Sequence, residues 1–396
     1  MAEIAVIGPG RLQHEMPSIP SSNAIDSTCY QWRSTVKRES ELEKIKAVVV
    51  GTGFGCRVHV PALRAAGFEV AALVGRNEER VQRKAAENAV PTSFTDLDEA
   101  ISATGAALVT IATTPNTHAT LAHEAIALGC HVLCEKPFAF NADEGEALLQ
   151  AAEQAGVIHM VSHEFRWLPE RALFGQAIRE GLIGEPRFLI VDQFLPFCAD
   201  PNARLPRWWF DKEAGGGWLG ASGSHLIDQI RAWLGDFHSL SANLLTVSDR
   251  VDVAEDSYSM RFVTKGGVEG SMQQSAGAWG EPATLCRCAG SKGTVWIEAG
   301  KVLVANANGT RQLSVPPELE LPAPPPAADP SSANRLSHFE IGPFTRLAEA
   351  LRHAILGSAG RSAVAPPTFR DGLKCMQIMD AMHASAAGGG SLQVLS

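Results

Sequence analysis

Residues 45–55 read IKAVVVGTGFG, and the fold turns on how this stretch is taken. The apolar run Ile45–Val50 reads as a strand that stops at Gly51, and an apolar-patterned helix is expected over 57–66. A strand that turns through glycine into a helix aims backbone N–H groups and the positive helix end at a pyrophosphate. Gly51 permits the tight turn, and Gly53 lets the backbone approach the phosphates. Thr52, Phe54 and Gly55 complete the loop. The glycine spacing alone is a weak signal. Its position between a strand and a helix makes it a dinucleotide-binding expectation.

Outward from this loop, strands and helices alternate. Apolar runs at Glu69–Val74, Ala106–Ala112, His131–Cys134 and Val157–Val161 are separated by helical stretches near 77–88, 117–128 and 142–155. That order predicts a parallel sheet covered on both faces. After Arg166 the pattern changes. A helix near 169–181 is followed by strand-like segments at 186–195, 238–249, 257–263, 267–275, 283–288, 293–298 and 301–305. Strands in succession predict a mostly antiparallel sheet. The Pro-rich Pro316–Pro330 reads as a loop, and helices near 343–357 and 370–386, the latter with Asp371 at its start, close the chain. The fold class is therefore α/β plus α+β. A Rossmann dinucleotide-binding domain is expected over 44–166, and a substrate-binding and oligomerisation domain on an open antiparallel sheet over 167–396. Residues 1–43 read as a peripheral extension, since the Gly8–Gly10 turn has no apolar helix behind it to hold a phosphate.

Composition narrows the function. The 396 residues are 45% hydrophobic and 19% charged, with a net charge of −9. No basic run offers a nucleic-acid surface, and no apolar stretch is long enough for a membrane span. Eight cysteines without regular spacing suggest reduced thiols and a cytoplasmic protein, with no secretory leader expected. His123, Cys130, His131 and Cys134 have zinc-ligand chemistry but straddle a helix end and a buried strand, and Cys286 and Cys288 alternate on a strand. No metal is expected at either place.

In such folds an acidic residue about 20 positions beyond the glycines takes the ribose hydroxyls. Here the second strand ends Val74-Gly75-Arg76-Asn77. Gly75 leaves room for a 2′-phosphate and Arg76 can pair with it, which points to NADP in preference to NAD, with Asn77 beside it.

The stretches Ala112-Thr113-Thr114-Pro115-Asn116-Thr117-His118, Cys134-Glu135-Lys136-Pro137, Gly215-Gly216-Gly217-Trp218-Leu219 and Gly223-Ser224-His225-Leu226-Ile227-Asp228 occur in order. With them the chain, over roughly 45–396, resembles the glucose-fructose oxidoreductase/inositol dehydrogenase/rhizopine catabolism (Gfo/Idh/MocA) family. The resemblance implies cofactor contacts from Thr113, Asn116, His118, Glu135 and Lys136. It also implies hydride transfer between nicotinamide and a hydroxyl or carbonyl of a sugar, cyclitol or related cyclic alcohol. Two alternatives stand beside it: a glycosidase or lyase using NAD for transient oxidation, and a nucleotide-binding sensor without turnover.

Lys136 follows a strand directly, so it falls at the carboxyl edge of the parallel sheet, where ligands bind. There it can hold a substrate oxygen and pass its proton. His225 is the second catalytic candidate. Family members that oxidise sugars usually carry Asp four residues before this His, and here that position is Ala221. His225 must then act alone, with Lys136, or with a group from elsewhere, and Asp228 reads as a network residue. Arg166, Trp167, Trp209, Trp218 and His225 are expected to line the substrate pocket, with His163 and Glu164 weaker candidates. The expected partners are a small-molecule substrate and a second copy of the chain, in a homodimer or homotetramer formed through the C-terminal sheet.

Overall fold

The computed structural model describes residues 44–323, 332–358 and 362–395. The extension expected over 1–43 and part of the Pro-rich loop lie outside them. The first half alternates as expected: β1 (Lys46–Val50), α1 (Val60–Ala65), β2 (Glu69–Val74), α2 (Glu78–Glu87), β3 (Thr92–Phe94), α3 (Leu97–Thr104), β4 (Leu108–Ile111), α4 (His118–Ala127), β5 (His131–Cys134), α5 (Ala142–Ala155) and β6 (His159–Val161). The six strands form a parallel sheet in the order β3-β2-β1-β4-β5-β6. β1 shows why its sequence is continuously apolar. Val48 and Val50 enter one core and Ala47 and Val49 the other, so both faces are covered. Strand order reverses between β1 and β4, and this opens a crevice at their carboxyl ends.

Local signals set the helix ends. The Arg80 amide donates to Asn77 at 2.8 Å, the Glu99 amide to Asp96 at 2.8 Å and the Glu144 amide to Asn141 at 2.9 Å. Each satisfies an amide that the first helical turn leaves unpaired. The helix expected over 57–66 is α-helical only from Val60; Gly55–His59 form one π-type turn before it.

The second half contains α6 (Pro169–Arg179), β7 (Pro186–Phe194), α7 (Ser224–Leu234), β8 (Phe237–Leu245), β9 (Ser257–Thr264), β10 (Glu269–Ser275), β11 (Ala283–Gly290), β12 (Gly293–Glu298), β13 (Lys301–Asn306), β14 (Gly309–Leu313), α8 (Ser332–Ile355), α9 (Phe369–Ala387) and β15 (Gln393–Val394). The nine strands run β14-β13-β12-β11-β7-β10-β9-β8-β15. Every pair is antiparallel except β7 with β10. On β9, Tyr258, Met260 and Phe262 turn into the core while Arg261 faces out, the period-2 pattern of a sheet covered on one side. α9 packs on β8, and α6 on β12 and β13.

Two features depart from the sequence reading. The helix expected from 343 begins at Ser332 and carries Pro343 inside it. It also returns to the first sheet: Ile341, Phe344, Leu347, Ala348 and Leu351 are buried with Val49, Val58 and Leu63. The chain after residue 166 thus contributes to both cores, and Lys44–Ser396 forms one compact unit.

A buried ion-pair network joins the end of β6 to α7 and α9. Arg166 grips Asp228 with two bonds of 2.6 and 2.5 Å, reaches Asp371 at 3.1 Å and donates to the Ala365 carbonyl at 3.0 Å. Arg231 also meets Asp371, at 3.3 Å, and Asp236, at 2.8 Å. Asp371 doubles as the capping-box residue of α9, with Thr368 as N-cap. Burial pushes the Asp371 carboxyl up, but Arg166, the Thr368 amide and Arg231 outweigh it and hold it at about 2, against 3.8 unpaired. Its charge therefore stabilises the fold above pH 4, and that contribution fades as pH falls from 3.8 toward 2. Asp371→Asn should cost about 2 kcal/mol at pH 7, from urea unfolding, with the gap between variant and parent closing as pH falls through that window. A gap independent of pH there contradicts the assignment.

Candidate functional site

The glycine loop is built for close approach. Gly51 has φ +124°, and a Cβ there would collide with the Ala112 carbonyl. A Cβ on Gly55 would lie 2.9 Å from Val49 Cγ1, so only glycine lets the helix pack on β1. Gly53 has no atom within 4 Å of its would-be Cβ, which leaves its outer face open to a ligand. These are the three roles a pyrophosphate cradle needs. Thr52 and Phe54 lie in the same loop. The residues present therefore fit a dinucleotide, whose phosphates would lie against Gly51 to Gly55.

At the end of β2, Arg76 is exposed. Asn77 is occupied through its side-chain oxygen as the N-cap of α2. A Cβ on Gly75 would come within 2.8 Å of Thr52 Cγ2, so the position has no room for a carboxylate unless Thr52 yields.

After β4, the Thr117 hydroxyl donates to Thr113 Oγ1 at 2.7 Å, and the Thr114 hydroxyl to Asn116 Oδ1 at 2.8 Å. His118 is completely buried and faces two backbone carbonyls, Pro137 O at 3.0 Å and Thr113 O at 3.4 Å. Burial lowers its pKa, so the ring is neutral and its single N–H favours the shorter contact. The structure places His118 as a brace between the loops after β4 and β5.

Glu135 and Lys136 follow β5 at the carboxyl edge of the sheet. His59, on the first turn after the glycine loop, lies 2.9 Å from Glu135 Oε1, with both groups buried. Burial pushes the Glu135 carboxyl up, but His59 and Lys136 outweigh it and hold it below the ordinary range. The Lys136 ammonium donates to the Ala221 carbonyl at 2.6 Å. That carbonyl belongs to the π-type turn Leu219–Gly223, which runs into α7. Lys136 therefore ties the parallel sheet to the helix that carries His225, through backbone and independently of the side chain at 221.

His225 is buried beside Lys136. Phe165 stacks on its ring at 4.1 Å, and His163 meets it edge-on at 5.7 Å. Glu164 Oε1 lies 3.9 Å from His225 Nε2. Burial lowers both imidazoles and pushes the Glu164 carboxyl well above its usual range; in His225 the nearby Lys136 charge, with smaller effects from His163 and Arg171, adds to the lowering. Both Glu164 oxygens, both His163 nitrogens and His225 Nδ1 are buried without a hydrogen-bond partner. Glu340, from α8, adds a carboxyl that burial pushes up to about 7, against the opposing charge of Lys136.

The other expected pocket residues fall in different places. Arg166 is committed to Asp228 and Asp371, and Trp167 is buried in the core beside α8. Trp209 and Trp218 meet edge-on at 5.3 Å, next to the glycine run. Trp218 is buried with its indole N–H unpaired. Gly217 has φ +124° and presses against Glu255, whose carboxyl accepts the Leu219 amide at 3.2 Å. His163, Asp228 and Cys375 bring ligand-type atoms within 4.8 Å of one another, but both Asp228 oxygens are taken by Arg166. His59 and Glu340 were not singled out from sequence. His59 lies eight residues past Gly51 on the apolar helix face, a weak signal; nothing local marks Glu340.

Comparison with known proteins agrees with this geometry. Residues 45–163 match the family described as an oxidoreductase family with an NAD-binding Rossmann fold, and residues 173–296 match the GFO/IDH/MocA C-terminal domain. The chain is 29% identical over 369 residues to a D-apiose dehydrogenase of Paraburkholderia graminis, covering 90% of this chain and 91% of that protein. It is 34% identical over 210 residues to an uncharacterized oxidoreductase of Synechocystis, covering 52% of this chain and 56% of that one. Among solved structures, a levoglucosan dehydrogenase in complex with NADH and levoglucosan superposes with a TM-score of 0.75 at 25% identity, covering 89% of this chain and all of the other. The glycine cradle, the Glu135-Lys136-Pro137 edge and the two matched domains together establish that the chain belongs to the Gfo/Idh/MocA family of NAD-binding oxidoreductases.

Proposed function

We propose that the protein is a dehydrogenase for a cyclic sugar or cyclitol, with Lys136 and His225 facing the reacting oxygen. The observation that supports this most is the convergence of Lys136, His163, Glu164 and His225 at the carboxyl edge of the parallel sheet, with buried polar atoms left unpaired. Such atoms are costly unless a ligand completes them. The nicotinamide, when bound, supplies the hydride acceptor or donor. Lys136 holds the substrate oxygen by a hydrogen bond and can exchange a proton with it as hydride moves. The neutral His225 offers a second polar contact to the same oxygen. Thr113, Asn116 and Glu135 line the cofactor side, and Trp209 and Trp218 offer aromatic faces to a sugar ring. Relatives named for D-apiose and levoglucosan support a sugar substrate.

The same reading extends to the assembly. Phe188 and Phe194 of β7 and Leu285 of β11 share the outer sheet face and are 46%, 48% and 42% exposed, which supports pairing of two copies there. The seven described cysteines are all free, which suits a reducing compartment such as the cytoplasm.

Lys136→Met should lower turnover about 10²–10⁴-fold on a panel that includes D-apiose and levoglucosan, while nucleotide affinity holds. Near-normal turnover in this variant removes Lys136 from the mechanism.

For the cofactor, the exposed Arg76 and the absence of space for an acid at Gly75 support NADP over NAD. A charge-assisted bond to the 2′-phosphate contributes about 1.5–3 kcal/mol, so NADPH should bind at least tenfold more tightly than NADH at low salt. Because Thr52 crowds position 75, reversal requires Thr52→Ala together with Gly75→Asp. Tighter NADH binding by the unmodified protein contradicts this preference.

A further inference from the structure

Glu164 is the least explained charged residue in the site. It is 1% exposed, and neither of its carboxyl oxygens has a hydrogen-bond partner. The group that faces it is His225, whose Nε2 is 3.9 Å away. The opposite nitrogen of that ring, Nδ1, is also buried and unpaired. Phe165, the neighbour of Glu164 in sequence, stacks flat on the ring with 23° between planes. The short turn Glu164–Trp167 thus supplies both the surface that fixes the plane of His225 and a carboxyl at one of its edges. The position one helical turn before His225 is Ala221, which has no polar side chain to do the same.

We propose that Glu164 is the positioning residue of His225: its carboxyl engages Nε2, sets the tautomer of the ring, and fixes the ring's orientation beside Lys136. This rests on the role given to His225 above. Glu164 is surrounded by Glu135 and Lys136 from the edge of β5, Glu340 from α8, and His163, Arg171 and His225. Burial and the carboxylates Glu135 and Glu340 favour its protonated form, while burial and the cations around His225 favour a neutral ring. A carboxylic acid beside a neutral imidazole donates its O–H to the ring nitrogen it faces, and the ring proton then resides on the other nitrogen. Closure from 3.9 Å to bonding distance is expected when substrate and nucleotide fill the site, since catalytic bonds are often long in ligand-free structures.

The test uses the full chain, labelled with 15N in its imidazoles and saturated with NADPH, with His225 assigned by its loss in His225→Asn. Long-range 1H–15N spectra at pH 7 should show the Nδ1–H tautomer in the parent protein. Glu164→Leu keeps the bulk and removes the carboxyl, and should move His225 toward the Nε2–H form. Turnover on the sugar panel should fall about 10- to 100-fold with nucleotide affinity unchanged. Ala221→Asp in the Glu164→Leu background returns a carboxyl to the ring from one helical turn away and should recover part of that turnover. A merely structural Glu164 would move neither the tautomer nor its rescue. A His225 tautomer that is the same in parent and Glu164→Leu overturns the proposal. Full turnover in His225→Asn overturns instead the role of His225 on which it rests, and the spectra separate the two failures.

Discussion

The guanidinium of Arg166 is the constraint on which the rest of the arrangement depends. It stands just past β6 and grips Asp228 of α7 with two bonds and Asp371 of α9 with a third. A buried charge left without its partner costs about 3–5 kcal/mol, so each helix is held firmly to the end of the parallel sheet. Fixing α7 fixes Ala221 and His225, and fixing the residues before Arg166 fixes His163, Glu164 and Phe165. The groups proposed to face the substrate are thereby placed by a network to which no step of the proposed chemistry is assigned. A planar fork suits that task, because its geometry sets direction as well as distance.

Seen from this clamp, the site is a seam between two cores. Lys136 crosses it to the Ala221 carbonyl, and His59 crosses from the glycine loop to Glu135. The second contact couples the glycine loop to the carboxyl edge of the parallel sheet through a buried carboxylate that His59 and Lys136 hold below its usual range. α8 closes the same region from the far end of the chain and brings Glu340 with it. Charge in the seam is thus divided between groups held ionised by partners, such as Glu135 and Asp371, and groups that burial pushes toward the neutral form, such as Glu164 and His225. Environments that push neighbouring groups apart in this way are typical of acid–base sites.

Much of this was legible in the residues. Gly51, Gly53 and Gly55 act through local backbone geometry, so their spacing between an apolar strand and helix reveals the cradle without any tertiary contact. Strand and helix alternation gave away the parallel sheet for the same reason. The parallel pairing of β7 with β10 was not readable, because alternation reports which face is buried and not which strand lies alongside. α8 was read only from about 343 and within the second domain, and its packing on the first sheet was not legible, since an amphipathic stripe does not name the surface it will cover. His59, Glu340 and the pairing of Glu164 with His225 were hidden for a related reason. Each acts through burial and partners 61 or more positions away in sequence, as with His225 and Glu164, or 76 for His59 and Glu135. Ala221 showed the converse: the missing Asp was visible in the sequence, while the carboxyl of Glu164 near His225 was not.

Hydride transfer between a cyclic sugar and the nicotinamide in this seam is directly testable with an isotope label. The full chain would be incubated with oxidised nucleotide and ring-deuterated sugars, and the nucleotide analysed by mass spectrometry. The account predicts that one deuterium per turnover is retained in reduced nucleotide, together with one ketone or lactone formed. Sugar product that accumulates with no net reduction of the nucleotide, or label that never leaves the sugar while nucleotide is bound, would contradict it.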